Sequence, residues 1–168
     1  MNLPNFNNLD KHAVRAAAGW MELSKYDEAL CELDNISNES KQTSEILNLK
    51  WQILAKREDW AGALEIAKDF VKFHPGLPTG WIHQSYSLHE LKRTVEARDY
   101  LLNASELFPL NSHIAYNIAC YTCKLEKDDE ALQWIQEAIS MKEKSTIIAM
   151  ALKDKDLERI HPQIARLA

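Results

Sequence analysis

Small and apolar residues recur along this chain at a fixed spacing. Alanine stands at Ala29, Ala63, Ala97 and Ala131, each 34 residues after the one before it. Each 34-residue frame holds two apolar-periodic segments, and a short polar junction separates them. A period of this length in a chain that is poor in glycine predicts pairs of antiparallel helices that stack on copies of themselves.

The junctions between the paired segments contain stop and start signals for helices. They are Ser24-Lys25, Arg57-Glu58-Asp59, Lys92-Arg93-Thr94 and Glu126-Lys127-Asp128. We expect helix N-caps at Asp59, Thr94, Ser112 and Asp128, whose side-chain oxygens would accept hydrogen bonds from the exposed N–H groups. Pro75 and Pro109 are expected to stop the second helices of frames two and three, because proline cannot continue the hydrogen-bond ladder.

The frames also carry the residues that are typical of tetratricopeptide repeats. In the third frame, Trp81, Ala97, Leu101, Ala104 and Pro109 stand at frame positions 4, 20, 24, 27 and 32. Over residues 10–143 the chain therefore resembles the tetratricopeptide repeat (TPR) family. The resemblance implies an all-α, right-handed α-α superhelix, a TPR solenoid, with four helix-turn-helix repeats. We expect an N-terminal extension over residues 1–9 and C-terminal capping helices over residues 144–168.

The expected C-terminal cap begins where the repeat register is lost. We expect a short helix from Ser145 to Leu152, a single helical turn from Leu157 to Ile160, and a last helix that begins at His161-Pro162. This tail is similar to the one that closes many bacterial TPR proteins, and it would cover the open end of the stack.

One bulky residue departs from the repeat pattern. Frame position 8 holds Ala17, Ser85 and Ala119 in three frames, but Trp51 in the second. Ala67, in the same frame, is smaller than its counterparts at position 24. We therefore expect the two departures to compensate each other in volume.

Charge and composition limit the partners. The chain has a net charge of −5 and only three cysteines. Phosphate binding needs a concentrated basic face, so we expect no nucleic-acid partner. The first residues lack a basic stretch followed by an apolar run, so we expect neither an export signal nor a membrane partner. Together with the few cysteines, this favours a cytoplasmic location.

The candidate catalytic residues are few. Cys120 and Cys123 form a C-x-x-C pair, but it falls in the middle of a predicted helix, whereas a redox pair needs a helix N-terminus to lower the thiol pKa. His83 and His113 could join Cys120 in a metal site, yet neutral polar residues of a binding surface explain them better. We therefore expect no enzyme activity, no metal and no cofactor.

The resemblance implies that the first helix of each repeat lines a concave groove. The groove residues we expect are Asn48, Gln52, Ile82, His83, Tyr86, His113, Tyr116 and Asn117. Amides can bind an extended peptide backbone, and tyrosine offers a large contact area with few rotors, so Tyr86, Tyr116 and Asn117 are the expected anchors. The groove lacks the lysines and arginine with which heat-shock chaperone clamps bind a terminal carboxylate.

The function predicted from the sequence is a non-catalytic protein-protein interaction scaffold that binds an unidentified peptide or protein segment in its groove. A small acidic TPR-type secretion chaperone is the alternative. The sequence leaves open whether the chain forms homo-oligomers and whether a partner uses the concave or the convex face.

Overall fold

Helices make up all the regular secondary structure of residues 6–167, the part of the chain that this computed structural model describes. The elements are α1 (Asn8–Glu22), α2 (Tyr26–Asp34), α3 (Asn38–Lys41), α4 (Ser44–Lys56), α5 (Trp60–Phe73), α6 (Pro78–Glu90), α7 (Thr94–Leu107), α8 (Ser112–Lys124), α9 (Asp128–Met141), α10 (Lys144–Ala151), a 3-10 helix (Lys155–Ile160) and α11 (His161–Ala165). The all-α prediction is therefore confirmed.

The helix starts keep the sequence period. The second helices of the four frames begin at Tyr26, Trp60, Thr94 and Asp128, each 34 residues after the last. The helices α5 and α7 end at Phe73 and Leu107, two residues before a proline. The prolines therefore end these helices as expected, because their missing N–H and their ring both disfavour a further turn.

The chain divides after Ser87 into two compact units. In the first unit, α1 packs against α2, α4 packs against α5, and α2 also contacts α4. Ala29 and Ala63 have no exposed surface, so the recurrent alanines are contact positions of the core. A longer side chain there would overpack the helix contact, at a cost of roughly 1–3 kcal/mol.

Part of the predicted N-terminal extension packs into the first unit. Residues 1–5 of the predicted extension lie outside the described residues, but Phe6 is only 8% exposed and packs into the core. The Asn7 side chain accepts a hydrogen bond from the Asp10 N–H and caps α1, which begins at Asn8. Phe6 to Leu9 therefore belong to the fold of the first unit, and the extension predicted over residues 1–9 is too long.

A buried carboxylate joins α1 to the segment around the short helix α3, which the sequence did not indicate. Asp10 is 3% exposed and accepts hydrogen bonds from the Ser37 N–H and from the Ser37 and Ser40 hydroxyls. These bonds, that of Ser37 first, hold the pKa of Asp10 below its ordinary value. N–H and hydroxyl donors thus stabilise the charged form of this buried carboxylate.

The second unit is arranged around α8. This helix packs against α7, α9 and the 3-10 helix, and most of its residues are buried. The recurrent alanines Ala97 and Ala131 again have no exposed surface. The three elements after α9 follow the predicted cap closely, with α11 beginning at His161 ahead of a proline in its first turn.

The helix caps differ from the prediction at most positions. Asp59 does cap α5 by accepting from the Gly62 N–H at 3.0 Å. The cap of α8 is Asn111 rather than Ser112, since its side-chain oxygen accepts from the N–H groups of residues 113 and 114. Thr94 and Asp128 are instead the first residues of their helices, and Ser145 lies inside α10, with its hydroxyl donating to Glu143.

The same turn joins the two helices of each pair. It contains one residue in the left-handed region: Ser24, Glu58, Lys92 and Glu126 have φ values of 57°, 61°, 64° and 62°. The Ser24 N–H bonds the Met21 carbonyl at 3.1 Å, and the following N–H bonds the Trp20 carbonyl at 2.8 Å. The same two bonds recur in the other three turns. This is the Schellman arrangement, which usually has glycine at the left-handed position.

Candidate functional site

The eight residues predicted to bind a partner lie on three helices. Asn48 and Gln52 are on α4, and Ile82, His83 and Tyr86 are on α6, all within the first unit. His113, Tyr116 and Asn117 are on α8, in the second unit.

An aromatic cluster forms the centre of the first set. The Trp51 indole stacks on the His83 ring, with centroids 3.7 Å apart and planes at 5°. The Trp51 Nε1–H donates to the Ser87 hydroxyl at 2.9 Å, which fixes the indole in its plane. Trp51 therefore makes its ring contacts with His83 and Tyr86 of α6. That the small side chain of Ala67 compensates for the volume of Trp51 stays a prediction.

His83 is held as a neutral donor. Its Nε2–H donates to the Asn48 side-chain oxygen at 2.8 Å, and Phe70 covers it with a ring centroid 6.2 Å away. Burial lowers the pKa of His83 to about 4. At neutral pH this surface therefore presents an amide and an uncharged imidazole rather than a cation.

Tyr86 is the most exposed aromatic residue of the cluster. The residue is 37% exposed, and its ring meets the Trp51 ring edge-on at 6.0 Å and the Trp60 ring at 5.6 Å. Neighbouring rings hold the tyrosine in place while leaving part of it open to solvent. Gln52 and Ile82 are half-buried on the same two helices.

The repeat pattern does not predict the part that Trp51 and Trp60 play in this surface, because it assigns residues to helix faces without specifying their ring contacts. A signal was present at Trp51, since the other frames have a small residue at that position. A bulky ring that breaks a repeat pattern points to a local contact of its own, here the stack on His83.

The second set is largely covered by the C-terminal segment of the chain. Tyr116 is 6% exposed, and its hydroxyl donates to Asp154 at 2.9 Å. The Cys120 thiol faces the same carboxylate oxygen at 3.6 Å. Because a partner needs access to an anchor ring, the expectation that Tyr116 is an exposed anchor does not fit its burial, and Tyr116 is left out of the site proposed below.

Asp156 binds the C-terminal segment to two further side chains. One carboxylate oxygen lies 3.2 Å from His89 Nε2, and the other lies 3.4 Å from the Lys124 ammonium. These partners, the hydrogen bond from His89 first, hold the pKa of Asp156 below its ordinary value. The next apolar residues, Leu157 and Ile160, have no exposed surface. The segment is thus packed into the second unit by both polar and apolar contacts.

The remaining two residues of the second set lie near the start of α8. His113 is exposed, and Asn117 is half-buried with its amide donating to the His113 carbonyl at 2.8 Å. The Asn117 amide is therefore engaged by its own helix, although its carbonyl oxygen still has acceptor capacity.

The C-x-x-C pair is buried inside α8. Cys120 and Cys123 are 3% and 0% exposed, and burial raises the pKa of both thiols. A protonated, enclosed sulfur is a poor nucleophile and a poor metal ligand. This environment supports the interpretation of the two cysteines as small packing residues.

Two properties of the described residues bear on metals and membranes. Within residues 6–167, no three His, Cys, Asp or Glu side chains are grouped so that they could hold a metal ion. No helix in the same range is long and apolar enough to span a bilayer.

Comparison with known proteins identifies the fold. No protein-family model matches the chain, and neither does any curated protein. Among solved structures, MamA from Desulfovibrio magneticus RS-1, from residue 41 to its end, is similar with a TM-score of 0.69 at 15% identity, over 96% of this chain and 94% of that one. A thermophilic TPR protein of Thermus thermophilus, TTC0263, is similar with a TM-score of 0.64 at 18% sequence identity. The match covers 93% of this chain and 98% of that protein's chain.

A third similar structure was solved with a ligand. The first TPR domain of Spaghetti (RPAP3), bound to the HSP90 peptide SRMEEVD, has a TM-score of 0.58 at 13% identity, over 75% of this chain and 93% of that one. The chain therefore has the fold of TPR proteins, and the fold implied by its resemblance to that family is confirmed.

Proposed function

We propose that the protein is a non-catalytic protein-interaction module that binds an extended segment of a partner protein. The proposed contact surface lies in the first unit and consists of Asn48, Gln52, Ile82, His83 and Tyr86. We call it the α4/α6 surface. In the second unit, His113 and Asn117 stay predicted contact residues.

The observation that carries this proposal is the partly exposed ring of Tyr86, supported by the rings of Trp51 and Trp60. Binding energy in protein interfaces concentrates in a few aromatic residues that are held rigidly in place. A tyrosine whose neighbours already fix its ring loses little further freedom when a partner binds.

The polar groups of the α4/α6 surface favour an uncharged part of the partner. The Gln52 amide offers both donors and acceptors, and His83 is neutral with its Nε2–H already bonded to Asn48. Such groups match the N–H and C=O groups of an extended peptide backbone. The peptide-bound TPR domain among the similar structures supports the same class of function.

The absence of catalysis is part of the proposal. The nucleophile candidates Cys120 and Cys123 are enclosed thiols, and the imidazole of His83 is desolvated and bonded to an amide. Cys120 does contact the Asp154 carboxylate, but the thiol is only 3% exposed and burial raises its pKa, so the sulfur is neither ionised nor open to a substrate.

The test is affinity capture from cells of the source organism, followed by calorimetry with the purified partner. Tyr86→Ala should weaken binding about tenfold or more, since truncating an aromatic anchor typically costs about 2 kcal/mol or more. Phe73→Ala is the matched control, because Phe73 is an equally exposed ring (37%) of the same unit on α5. Circular dichroism would verify that both variants stay folded.

The proposal would be wrong if Tyr86→Ala bound the partner normally. It would also be wrong if Phe73→Ala weakened binding while Tyr86→Ala did not, because the partner would then use the second helices of the repeats.

A further inference from the structure

A cavity of about 460 Å³ lies in the second unit, among the end of α7, the start of α8 and one side of α9. Its apolar lining includes Phe108, Ile114, Trp134 and Met141, and its polar lining includes Glu130 and Glu137. The volume falls within the range of roughly 300–1,000 Å³ that is usual for ligand sites. None of these residues belongs to the α4/α6 surface.

The helix α9 contributes a stripe of residues to this cavity that is separate from its core face. Its core residues Ala131, Ile135 and Ala138 have no exposed surface. Glu130, Trp134, Glu137 and Met141 follow one another at helical spacings of four, three and four residues, so they share another face. Trp134 and Met141 are half-buried, and Glu137 is exposed. A large apolar ring and a carboxylate are thus neighbours on a face that the core does not cover.

The charge of the cavity is negative. No lysine or arginine is among the described residues that line it. Glu130 is already paired, because Arg98 donates to it and Lys127 lies 3.9 Å away. Glu137 lines the same cavity and forms no ion pair with any of residues 6–167. The uncompensated charge therefore lies at Glu137, one helical turn from the Trp134 ring.

We propose that this cavity binds an arginine side chain of a partner protein, together with an apolar residue adjacent to that arginine. A guanidinium group can stack on an indole face and donate in-plane hydrogen bonds to a carboxylate, which matches Trp134 beside Glu137. Lysine fits less well, since its strongly hydrated ammonium does not stack in this way. The apolar neighbour would pack on Phe108, Ile114 and Met141.

The experiment uses the full chain and two dipeptide probes, acetyl-leucyl-arginine amide and its citrulline analogue, in which a neutral urea replaces the guanidinium. Binding is followed by NMR through the Trp134 indole N–H and the Met141 methyl group, with Trp134→Phe used for assignment. The arginine probe should shift both signals and bind about fivefold more tightly than the citrulline probe, as expected for one cation-π contact with an exposed carboxylate.

The carboxylate is tested with a matched pair of variants. Glu137→Gln should remove the preference for the arginine probe, whereas Glu106→Gln should preserve it, because Glu106 is an exposed glutamate of α7 outside the cavity. Equal binding of the two probes would overturn the proposal. The proposal would also be overturned if the two glutamine variants changed the preference for the arginine probe equally. The same holds if the arginine probe bound without shifting the Trp134 and Met141 signals.

Failure here can be told apart from failure of the proposed function. Tyr86→Ala should not alter binding of the arginine probe, and Glu137→Gln should not alter binding of a partner segment to the α4/α6 surface. If either cross-effect appeared, the assignment of the arginine site to the second unit would be wrong.

Discussion

Backbone strain in the four Schellman turns leads to a prediction about stability. At Ser24, Glu58, Lys92 and Glu126 the chain adopts φ values between 57° and 64°. An L-residue in this region brings its Cβ close to the following carbonyl oxygen, which costs roughly 1–2 kcal/mol. Glycine avoids this cost but loses more conformational freedom on folding, which costs roughly 0.5–1 kcal/mol. The net gain from glycine is therefore about 0.5–1 kcal/mol per turn.

Glu58 and Lys92, one in each unit, are the best sites for the test, because neither side chain forms an ion pair with any of residues 6–167. Glu126 lies 3.4 Å from Arg159, and loss of this exposed ion pair would offset part of the gain. Glu58→Gly and Lys92→Gly should each raise the free energy of unfolding by about 0.5–1 kcal/mol. Their double variant should show the sum, since distant sites are usually additive.

The assay is equilibrium unfolding in urea followed by far-UV circular dichroism. The alanine variants Glu58→Ala and Lys92→Ala are the matched controls, because alanine removes the same side chain but keeps the Cβ that causes the strain. If the alanine variants were stabilised as much as the glycine variants, relief of side-chain repulsion would explain the gain. If the glycine variants were less stable than the parent, the left-handed conformation would not be the native one.

Two further predictions concern the first unit. Gly80→Ala should destabilise the protein by roughly 1–3 kcal/mol in the same assay, because the new Cβ would overlap with Phe70 Cδ1. Gly76→Ala should change the stability little, since nothing lies within 4 Å of its new Cβ. The pKa of His83 is lowered to about 4 in the folded protein, whereas in the unfolded chain it is about 6.5. The neutral ring therefore contributes stability above about pH 6.5. This contribution, at most about 3 kcal/mol, should be lost as the pH falls from 6.5 to 4. His83→Gln should flatten this part of the stability-pH curve, and an NMR titration of His83 with a midpoint near 6.5 would refute the assignment.

The sequence predicts the helices well because their determinants are local and repeated. The alanines at the helix contacts, the prolines after α5 and α7, and the polar junctions all follow one period. It does not predict the left-handed turns, because the usual signal is glycine and none of the four positions has it. Backbone hydrogen bonds impose the left-handed conformation on residues other than glycine, so the residue types at these positions do not reveal it.

The candidate site was predicted only in part, because the family pattern assigns residues to a face without saying what else covers that face. Asn48 and His83 were both expected at the site, but their hydrogen bond and the Trp51 stack depend on the relative positions of α4 and α6. Tyr116 has the same frame position as Asn48, yet Asp154 accepts its hydroxyl and the ring is buried. Contacts between residues so far apart in the chain leave no periodic signal.

The two units consequently differ in how their first-helix positions are used. In the second unit, Asp154 and Asp156 bind Tyr116, His89 and Lys124, while Leu157 and Ile160 fill the space beside them. A partner would have to displace a segment whose apolar side chains are fully buried, and each such side chain contributes roughly 1.5–3 kcal/mol. Tyr86 requires no displacement of this kind, since its ring is already 37% exposed. For equal contacts, a partner segment therefore gains more net binding energy at Tyr86 than at Tyr116, which is the physical reason for proposing the α4/α6 surface, rather than the surface around Tyr116, as the recognition site.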